Sequence, residues 1–455
     1  MTGLWFQQAL LPDGWAASVR IVTAGGRVET VESGAEPQVG DERHAIGLPG
    51  LCNLHSHAFQ RAMAGRAERR VDHGDDFWLW RERMYQLAKT VTPEDMRAIA
   101  ALAYAEMLQS GFVRVGEFHY LHNAPDGRPY TDPGEMAASL AAAADESGVA
   151  LTLLPVFYAH AGFGGAPPNQ GQSRFVNDLD SYGRLLEASD RAISGLQDAV
   201  LGVAPHSLRA VTPEQLAEVT RLLPASPVHI HIAEQTKEVE DCLAWSGQRP
   251  VEWLLANARV DRRWCLVHAT HMVQAETSAL AASGAIAGLC PITEANLGDG
   301  IFPAEDFLAA GGRIGLGSDS NVLIDATEEL RLLEYGQRLV ERRRNVLAGG
   351  AVEPTADRLH RLAMAGGAAA LGVDPPGLRA GASASLLSLD AEHPALAAAS
   401  PDEYLSRWIF AGGRNLVDCV WVGGRKLVAQ GRHVRWAQIA RQYRASMARL
   451  RADLG

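Results

Sequence analysis

The middle of the chain alternates short apolar runs with longer amphipathic stretches. The apolar runs cover residues 48–57, 112–121, 150–159, 200–208, 228–234, 264–271, 285–297 and 313–322. Several are apolar almost throughout, which is typical of parallel strands buried on both faces. Helical patterns lie between them, and one begins at Thr92-Pro93 and ends at Gly111. Eight strand–helix units predict an α/β fold, a (β/α)₈ TIM-like barrel, with a doubly wound sheet as the alternative.

Both ends of the chain have a different pattern. Residues 1–47 and 373–435 alternate polar and apolar positions around glycine turns, which is typical of half-buried strands. The pair Gly423-Gly424 between two such runs indicates a tight hairpin. We therefore predict a small β-sandwich domain built from both ends of the chain. The barrel is expected over residues 48–372, and a C-terminal helix over residues 436–455.

Composition narrows the class of protein. The chain has 455 residues, of which 47% are hydrophobic and 21% charged, as in a globular enzyme. Its formal net charge of −11 disfavours a nucleic acid or an anionic membrane as the partner. The five cysteines are scattered and never spaced as CxxC, and the N-terminus lacks the pattern of a signal peptide. We therefore expect a cytoplasmic protein without a disulfide framework.

Metal-binding residue types stand at the ends of four predicted strands. These residues are His55 and His57 on the first strand, His229, His231 and Glu234 on the fifth, His268 and His271 on the sixth, and Asp319 on the eighth. Residues two apart on a strand share a face, so His55 and His57 project together, whereas His229 should point away from His231 and pack. A barrel gathers its strand ends at one mouth. Three imidazoles and one carboxylate can hold a catalytic zinc with an open position for water.

This ordered set resembles the mononuclear deaminase branch of the amidohydrolase superfamily. The resemblance rests on the HxH pair, the His-x-x-Glu of His231 and Glu234, and the residues His268 and Asp319. It implies one zinc ion per subunit, with the ligands His55, His57, His231 and Asp319. It also implies that His268 and Asp319 lie beside the attacking water and that Glu234 shuttles protons. The predicted end of the fourth strand, residues 204–209, contains no lysine to bridge a second metal.

Other polar side chains near the predicted strand ends bear on the substrate. They are Gln60, Arg81, Tyr120, His206 and Arg209. Guanidinium groups make paired hydrogen bonds to carboxylates, which favours an anionic substrate. These segments resemble the members of the branch that hydrolyse N-formimino-L-glutamate in histidine degradation. That resemblance implies a small-molecule dicarboxylate substrate and, from the habit of the family, a homodimer. On spacing alone, Arg81 is equally well explained as a solvated helix residue.

Two other functions stay open at this point. One is a deaminase of the same branch that acts on guanine, a related purine or an adenosine derivative, which the two arginines weakly disfavour. The other is a catalytically inactive metal-binding or assembly protein on the same scaffold. The complete ligand set together with Glu234 argues against that second alternative.

Overall fold

A computed structural model describes residues 2–68, 77–350 and 353–454 of the chain. The strands are β1 (Thr2–Leu11), β2 (Gly14–Ala24), β3 (Arg27–Glu32), β4 (Glu42–Pro49), β5 (Leu51–Ser56), β6 (Phe112–His119), β7 (Ala150–Phe157), β8 (Val200–Leu201), β9 (Ala204–Pro205), β10 (Val228–Ile232), β11 (Trp264–His268), β12 (Ile286–Leu289), β13 (Arg313–Leu316), β14 (Leu386–Leu389), β15 (Val417–Val422), β16 (Arg425–Ala429) and β17 (Arg432–His433).

The α-helices lie mostly between the barrel strands. They are α1 (Phe77–Ala88), α2 (Pro93–Ser110), α3 (Glu135–Ser147), α4 (Leu179–Ile193), α5 (Pro213–Leu222), α6 (Thr236–Ser246), α7 (Pro250–Asn257), α8 (Gln274–Ser283), α9 (Pro291–Leu297), α10 (Ala304–Ala309), α11 (Ala326–Glu341), α12 (Thr355–Ala370), α13 (Tyr404–Arg407) and α14 (Trp436–Leu454). The predicted N-cap at Thr92 and the left-handed C-cap at Gly111 of α2 are confirmed. None of the described helices is both long and apolar enough to cross a membrane.

The central sheet is a ring of parallel strands. Its hydrogen-bonded order is β10-β11-β12-β13-β5-β6-β7-β8, and β9 also pairs with β7. The ring closes between β9 and β10, where the amides of His229 and His231 donate to the carbonyls of Val203 and His206 at 3.1 and 3.0 Å. Because first and last strands also pair, through Leu316 opposite Asn53, the predicted α/β barrel is confirmed.

The two ends of the chain build a second sheet, as predicted. Its order is β17-β16-β15-β14-β4-β1-β2-β3. Gly423 and Gly424 have φ angles of 55° and 74°, so the hairpin between β15 and β16 uses the left-handed region that glycine tolerates. Strand β4 belongs to this sheet through Pro49, and Gly50 alone separates it from β5 of the barrel. The domain limits given above stay predictions, and the change of sheet falls at Gly50.

Three predicted barrel strands are too long because local chemistry ends them early. In the run 285–297 the strand stops at Leu289, since Pro291 lacks an amide hydrogen and instead begins α9. The run 313–322 leaves the sheet after Leu316 and turns through left-handed residues. The run 200–208 is divided into β8 and β9, and the intervening Gly202 lies against the Pro227 backbone, 2.8 Å from where a Cβ would lie. Extended apolar sequence therefore predicts the place of these strands better than their ends.

Helix α12 packs unusually close to the barrel at Gly366. A Cβ atom at this position would lie only 1.8 Å from the carbonyl oxygen of Ile314 in β13. The adjoining Gly367 would likewise bring a Cβ to 2.9 Å from the backbone oxygen of Cys52 in β5. The two glycines thus let the helix backbone touch the first and last barrel strands.

We expect Gly366→Ala to lower the free energy of unfolding by roughly 1–3 kcal/mol, because the added methyl forces the helix away from β13. The matched control is Gly183→Ala in α4, where nothing lies within 4 Å of the new Cβ. That change should stabilise the protein by up to about 1 kcal/mol through helix propensity. Urea denaturation of both variants measures the difference, and equal stability of the two would contradict the packing argument.

Candidate active site

Four side chains converge at the mouth of the barrel: His55 on β5, His57 directly after it, His231 on β10, and Asp319 in the turn that follows β13. The Nε2 atom of His55 lies 3.2 Å from Nε2 of His57 and 3.0 Å from Nε2 of His231. The carboxylate of Asp319 lies 3.1 Å from His57 Nε2 and 3.5 Å from His55 Nε2. One donor atom from each residue fits within 4.8 Å of the others. The predicted ligand set is therefore one spatial group.

Backbone hydrogen bonds between the first and last barrel strands bring this group together. The amides of Ser318 and Asp319 both donate to the carbonyl of His55 at 3.0 Å. In return, the amide of His57 donates to the carbonyl of Asp319 at 2.9 Å. Asp319 has a φ angle of 43°, a left-handed conformation that is costly for a residue with a side chain. That turn ends the strand and directs the carboxylate toward the histidines.

Two of the imidazoles are oriented by backbone carbonyls. The Nδ1 atom of His57 lies 2.9 Å from the carbonyl of Phe118, and that of His231 lies 3.0 Å from the carbonyl of His206. A carbonyl can only accept, so each of these Nδ1 atoms carries a proton, and the neutral ring of His231 presents a bare Nε2 to the centre. Such outer contacts fix the tautomer that binds a metal.

The protonation states of the group also suit a metal ion. Burial lowers the pKa of His55 to about 3 and the pKa of His231 well below its usual value, so both rings are neutral at pH 7. Burial alone would raise the pKa of Asp319, but hydrogen bonds to His55 and His57 outweigh it and hold the pKa well below its usual value. Neutral imidazoles and an ionised carboxylate are the forms that coordinate zinc. The donor set therefore fits a metal ion.

His268 and Glu234 lie beside the ligand group. The Nε2 atom of His268 is 3.6 Å from Glu234 and 3.8 Å from Asp319, and its Nδ1 atom is 3.2 Å from Glu294. Burial lowers the pKa of His268, but these carboxylates outweigh burial and raise it to about 10. Burial raises the pKa of Glu234, opposed by the charges of His268 and Arg209. A titratable carboxyl and an imidazolium thus adjoin the centre.

A cavity opens onto the group formed by His55, His57, His231 and Asp319. It measures about 680 Å³ including its mouth. Every residue assigned to the substrate from the sequence lines it, namely Gln60, Arg81, Tyr120, His206 and Arg209. Glu234, His57, His231 and Asp319 line the same cavity, whereas His55 lies behind them and is fully buried. The side chains that the sequence analysis assigned to the substrate thus face the same cavity as three of the four predicted metal ligands.

Several polar groups around this cavity have spare hydrogen-bonding capacity. Gln60 donates to the Tyr120 hydroxyl at 2.6 Å, and its buried Oε1 atom has no partner among the residues that the structure describes. The guanidinium of Arg81 stacks on Trp78 with 4.3 Å to the ring centroid, and within the same described residues its buried Nε atom has no hydrogen-bond partner. Arg209 lies 4.0 Å from Glu234. Buried groups of this kind are normally satisfied, so they indicate a polar ligand.

The structure also places two further histidines and two residues that the sequence analysis missed. The Nε2 atom of His229 lies 2.7 Å from the carbonyl of Ala370, so the prediction that it packs away from His231 is confirmed. His271 is not among the residues that line the cavity. Tyr158, which does line it, was missed although it ends an apolar run, which is the signal that could have found it. Glu294 was missed because its helix had been read as strand.

Comparison with known proteins places the fold and the sequence in one family. The profile of the amidohydrolase family matches residues 46–427, and the profile described as "Formimidoylglutamate deiminase HutF, N-terminal domain" matches residues 1–45. A curated formimidoylglutamate deiminase from Pseudomonas aeruginosa is 50% identical over 97% of this chain and 98% of its own length. A curated 5-methylthioadenosine/S-adenosylhomocysteine deaminase from Natronomonas pharaonis is 29% identical over 87% of this chain and 84% of its own length.

A solved structure gives the same result. The crystal structure of an amidohydrolase from Brucella melitensis superposes with a TM-score of 0.96 at 55% sequence identity. The match covers 99% of this chain and 100% of that one, so it includes both the barrel and the terminal sheet. The chain therefore belongs to the amidohydrolase family.

Proposed function

We propose that this protein hydrolyses N-formimino-L-glutamate to N-formyl-L-glutamate and ammonia, a step of histidine degradation. The observation that carries the proposal is the cavity itself. Its metal-ligand group faces the same space as two guanidinium groups, those of Arg81 and Arg209. This arrangement suits a small substrate that carries both a hydrolysable amidine and two carboxylates. The 50% identical deiminase from Pseudomonas aeruginosa supports the same substrate.

The resident metal in this proposal is one zinc ion per subunit. His55, His57, His231 and Asp319 would hold it, since three imidazole nitrogens and one carboxylate oxygen converge there. When bound, zinc supplies Lewis acidity, which lowers the pKa of water toward neutrality. The donor atoms come from a rigid barrel, so the site is built before the ion arrives.

Glu234 is the proton carrier of the proposed reaction. Its carboxyl group lines the cavity, and burial raises its pKa toward the pH range in which it can both accept and return a proton. It takes a proton from the attacking water as the water oxygen bonds to the formimino carbon. It then delivers the proton to the terminal nitrogen, whose bond to that carbon breaks. With the substrate as its cationic amidinium, ammonia leaves as this bond breaks, and the remaining hydroxyl proton passes back to Glu234, so that the carbon keeps the oxygen as a formyl C=O. The nitrogen of the glutamate part keeps its bond.

His268 and Asp319 orient the attacking water. His268 is 3.8 Å from Asp319 and 3.6 Å from Glu234, so one small molecule can contact all three groups. With its pKa raised to about 10, His268 is a cationic donor that stabilises the negative charge developing on the oxygen of the attacking water as its proton leaves. Asp319 accepts a hydrogen bond from the water, which keeps the lone pair of the water oxygen directed at the substrate.

The remaining cavity residues bind the substrate carboxylates. Arg81 and Arg209 provide charge-assisted hydrogen bonds, and Gln60, Tyr120 and His206 provide neutral ones. Burial lowers the pKa of His206 well below its usual value, so this ring contributes a neutral donor instead of a further cation.

We extend the proposal to the enzyme as a whole. The five cysteines are buried and unpaired, which supports a reducing compartment, the cytoplasm. A homodimer follows from the habit of the family. The domain division is residues 1–47 with 373–435, residues 48–372, and residues 436–455.

The purified protein should release ammonia from N-formimino-L-glutamate with a kcat/KM at least about 10³-fold above that for guanine or an adenosine derivative. A site built around buried polar groups strongly rejects compounds that leave those groups unpaired. A coupled ammonia assay over this panel measures the ratio. Faster turnover of a purine would contradict the proposed substrate, and the absence of stoichiometric metal by elemental analysis would favour an inactive scaffold.

Glu234→Gln should lower kcat by roughly 10²–10⁴-fold, because the amide cannot carry the proton. Zinc content and substrate affinity should stay within about threefold of the wild-type values, since Gln keeps the shape of Glu. The control is Glu240→Gln on the exposed face of α6, which should leave kcat unchanged. A wild-type kcat for Glu234→Gln would show that another group moves the proton.

Arg81→Met should raise KM for N-formimino-L-glutamate by about 10- to 100-fold, the usual cost of losing a charge-assisted contact. The change in kcat should be smaller, because Arg81 binds the substrate away from the reacting atoms. Arg83→Met on the same helix is the control, since Arg83 bonds to the carbonyl of Ala67 and does not line the cavity. Equal KM values for both variants would assign Arg81 to the helix surface.

A further inference from the structure

Arg174, in the segment between β7 and α4, is a buried charge that the proposed reaction does not use. Its side chain is among the largest fully buried ones, and only 1% of its surface is exposed. Burial lowers the pKa of its guanidinium to about 10. Within residues 2–68, 77–350 and 353–454, no carboxylate pairs with it. A buried cation without a counter-charge is costly, so its contacts require an explanation.

The guanidinium is held by backbone carbonyls from two other segments. Its Nε atom donates to Asn123 at 2.8 Å, and one Nη atom donates to Val91 at 2.7 Å and also to Ala88. Ala88 is the last residue of α1, where unsatisfied carbonyls carry the negative end of the helix dipole. The backbone carbonyl of Arg174 itself accepts hydrogen bonds from the amides of His122 and Asn123 at 2.9 and 3.0 Å. Arg174 therefore joins the end of α1 to the loop after β6.

The joined segments are those that carry the substrate side of the cavity. Helix α1 supplies Arg81 and Tyr85, and the end of β6 leads into Tyr120. Phe175, the neighbour of Arg174, packs against both tyrosines, with ring centroids 5.6 Å from Tyr85 and 5.0 Å from Tyr120. Arg174 does not line the cavity. In the described part of the chain, its side-chain hydrogen bonds go to Asn123, Ala88 and Val91, and none goes to the proposed metal ligands or to strands β5, β10 and β13.

The imidazoles beside Arg174 add no further charge. Burial lowers the pKa of His122 to about 4, and the pKa of His119 well below its usual value, and the positive charge of Arg174 lowers both further. The cluster therefore holds one cation that carbonyl dipoles stabilise. An arrangement of this kind depends on the fixed position of those carbonyls, so it is sensitive to the placement of α1.

We propose that Arg174 is a positioning residue for substrate selectivity. By fixing the C-terminal end of α1 against the loops after β6 and β7, it holds Arg81 where a substrate carboxylate binds. This inference rests on the proposed function. Since Arg174 acts through Arg81, its loss weakens binding of the dicarboxylate and leaves the metal and the proton transfer intact.

The test compares Arg174→Met and Arg174→Lys with the wild-type enzyme. Arg174→Met should raise KM for N-formimino-L-glutamate at least 10-fold while kcat and zinc content change by less than about threefold. Arg174→Lys keeps the charge and some of the donors, so its KM should lie between that of the wild-type enzyme and that of Arg174→Met. It also supplies a foldable variant if the Met variant does not fold. A loss of zinc or kcat with unchanged KM would overturn the proposal.

A double-mutant cycle separates positioning from a general loss of stability. If Arg174 acts through Arg81, then Arg174→Met should raise KM by less than about twofold in the Arg81→Met background. An equal increase in both backgrounds would overturn the proposal. Arg114→Met is the matched control, because Arg114 is also a buried arginine bonded to backbone carbonyls, of Leu151 and Asp198, at the opposite end of the barrel. It should lower stability without changing KM.

Hydrogen exchange tests the position of α1 without any substrate. In Arg174→Lys, amides of residues 77–88 should exchange at least 10-fold faster, whereas those of residues 228–232 in β10 should be unchanged. Unaltered exchange in residues 77–88 would overturn the role of Arg174 whatever the substrate proves to be. A wild-type enzyme that does not turn over N-formimino-L-glutamate would instead contradict only the proposed function.

Discussion

The pairing of the first and last barrel strands is the constraint on which the active site depends. His55 and Asp319 come from opposite ends of the barrel sequence, yet the amide of Asp319 donates to the carbonyl of His55 at 3.0 Å. Behind them, Asn53 donates to Ser318 at 2.6 Å, and Ser318 donates to Asn321 at the same distance. These buried bonds leave the joined strand ends little freedom. The metal-ligand geometry is therefore a property of barrel closure and not of mobile loops.

The same closure concentrates charge in a place with little water. Glu234, Glu238 and Asp319 are all buried, and each is close to a positive or potentially positive group. Arg209 lies 3.5 Å from Glu238 and 4.0 Å from Glu234. Its positive charge therefore neutralises the charge of Glu234 less closely than that of Glu238. Burial thus raises the pKa of Glu234, whereas hydrogen bonds to the histidines hold the pKa of Asp319 well below its usual value. Two carboxyl groups in one cavity acquire different chemistry from their neighbours.

The sequence predicted those features that depend on short-range pattern. The apolar runs located the barrel strands, and period-two spacing showed that His229 points away from His231. Strand ends were predicted less well, because Pro291 and the left-handed turn at Asp319 act over one or two residues within an apolar run. The contacts of Arg174 were beyond prediction, since they join backbone carbonyls that are distant in sequence. Such partners have no side-chain signature that a single sequence can reveal.

The residues proposed for hydrolysis and the arginine proposed for substrate selectivity are held by different parts of the fold. The proposed metal ligands lie on barrel strands or in the turns directly after them, and barrel closure fixes these positions for any substrate. Arg81 stands on α1, outside the ring, and a helix end needs separate anchoring before a guanidinium on it can bind a carboxylate in a defined place. Arg174 supplies such an anchor through the carbonyls of Ala88 and Val91. A change of substrate can therefore proceed by altering α1 and its anchor while the strands that carry the proposed metal ligands stay as they are.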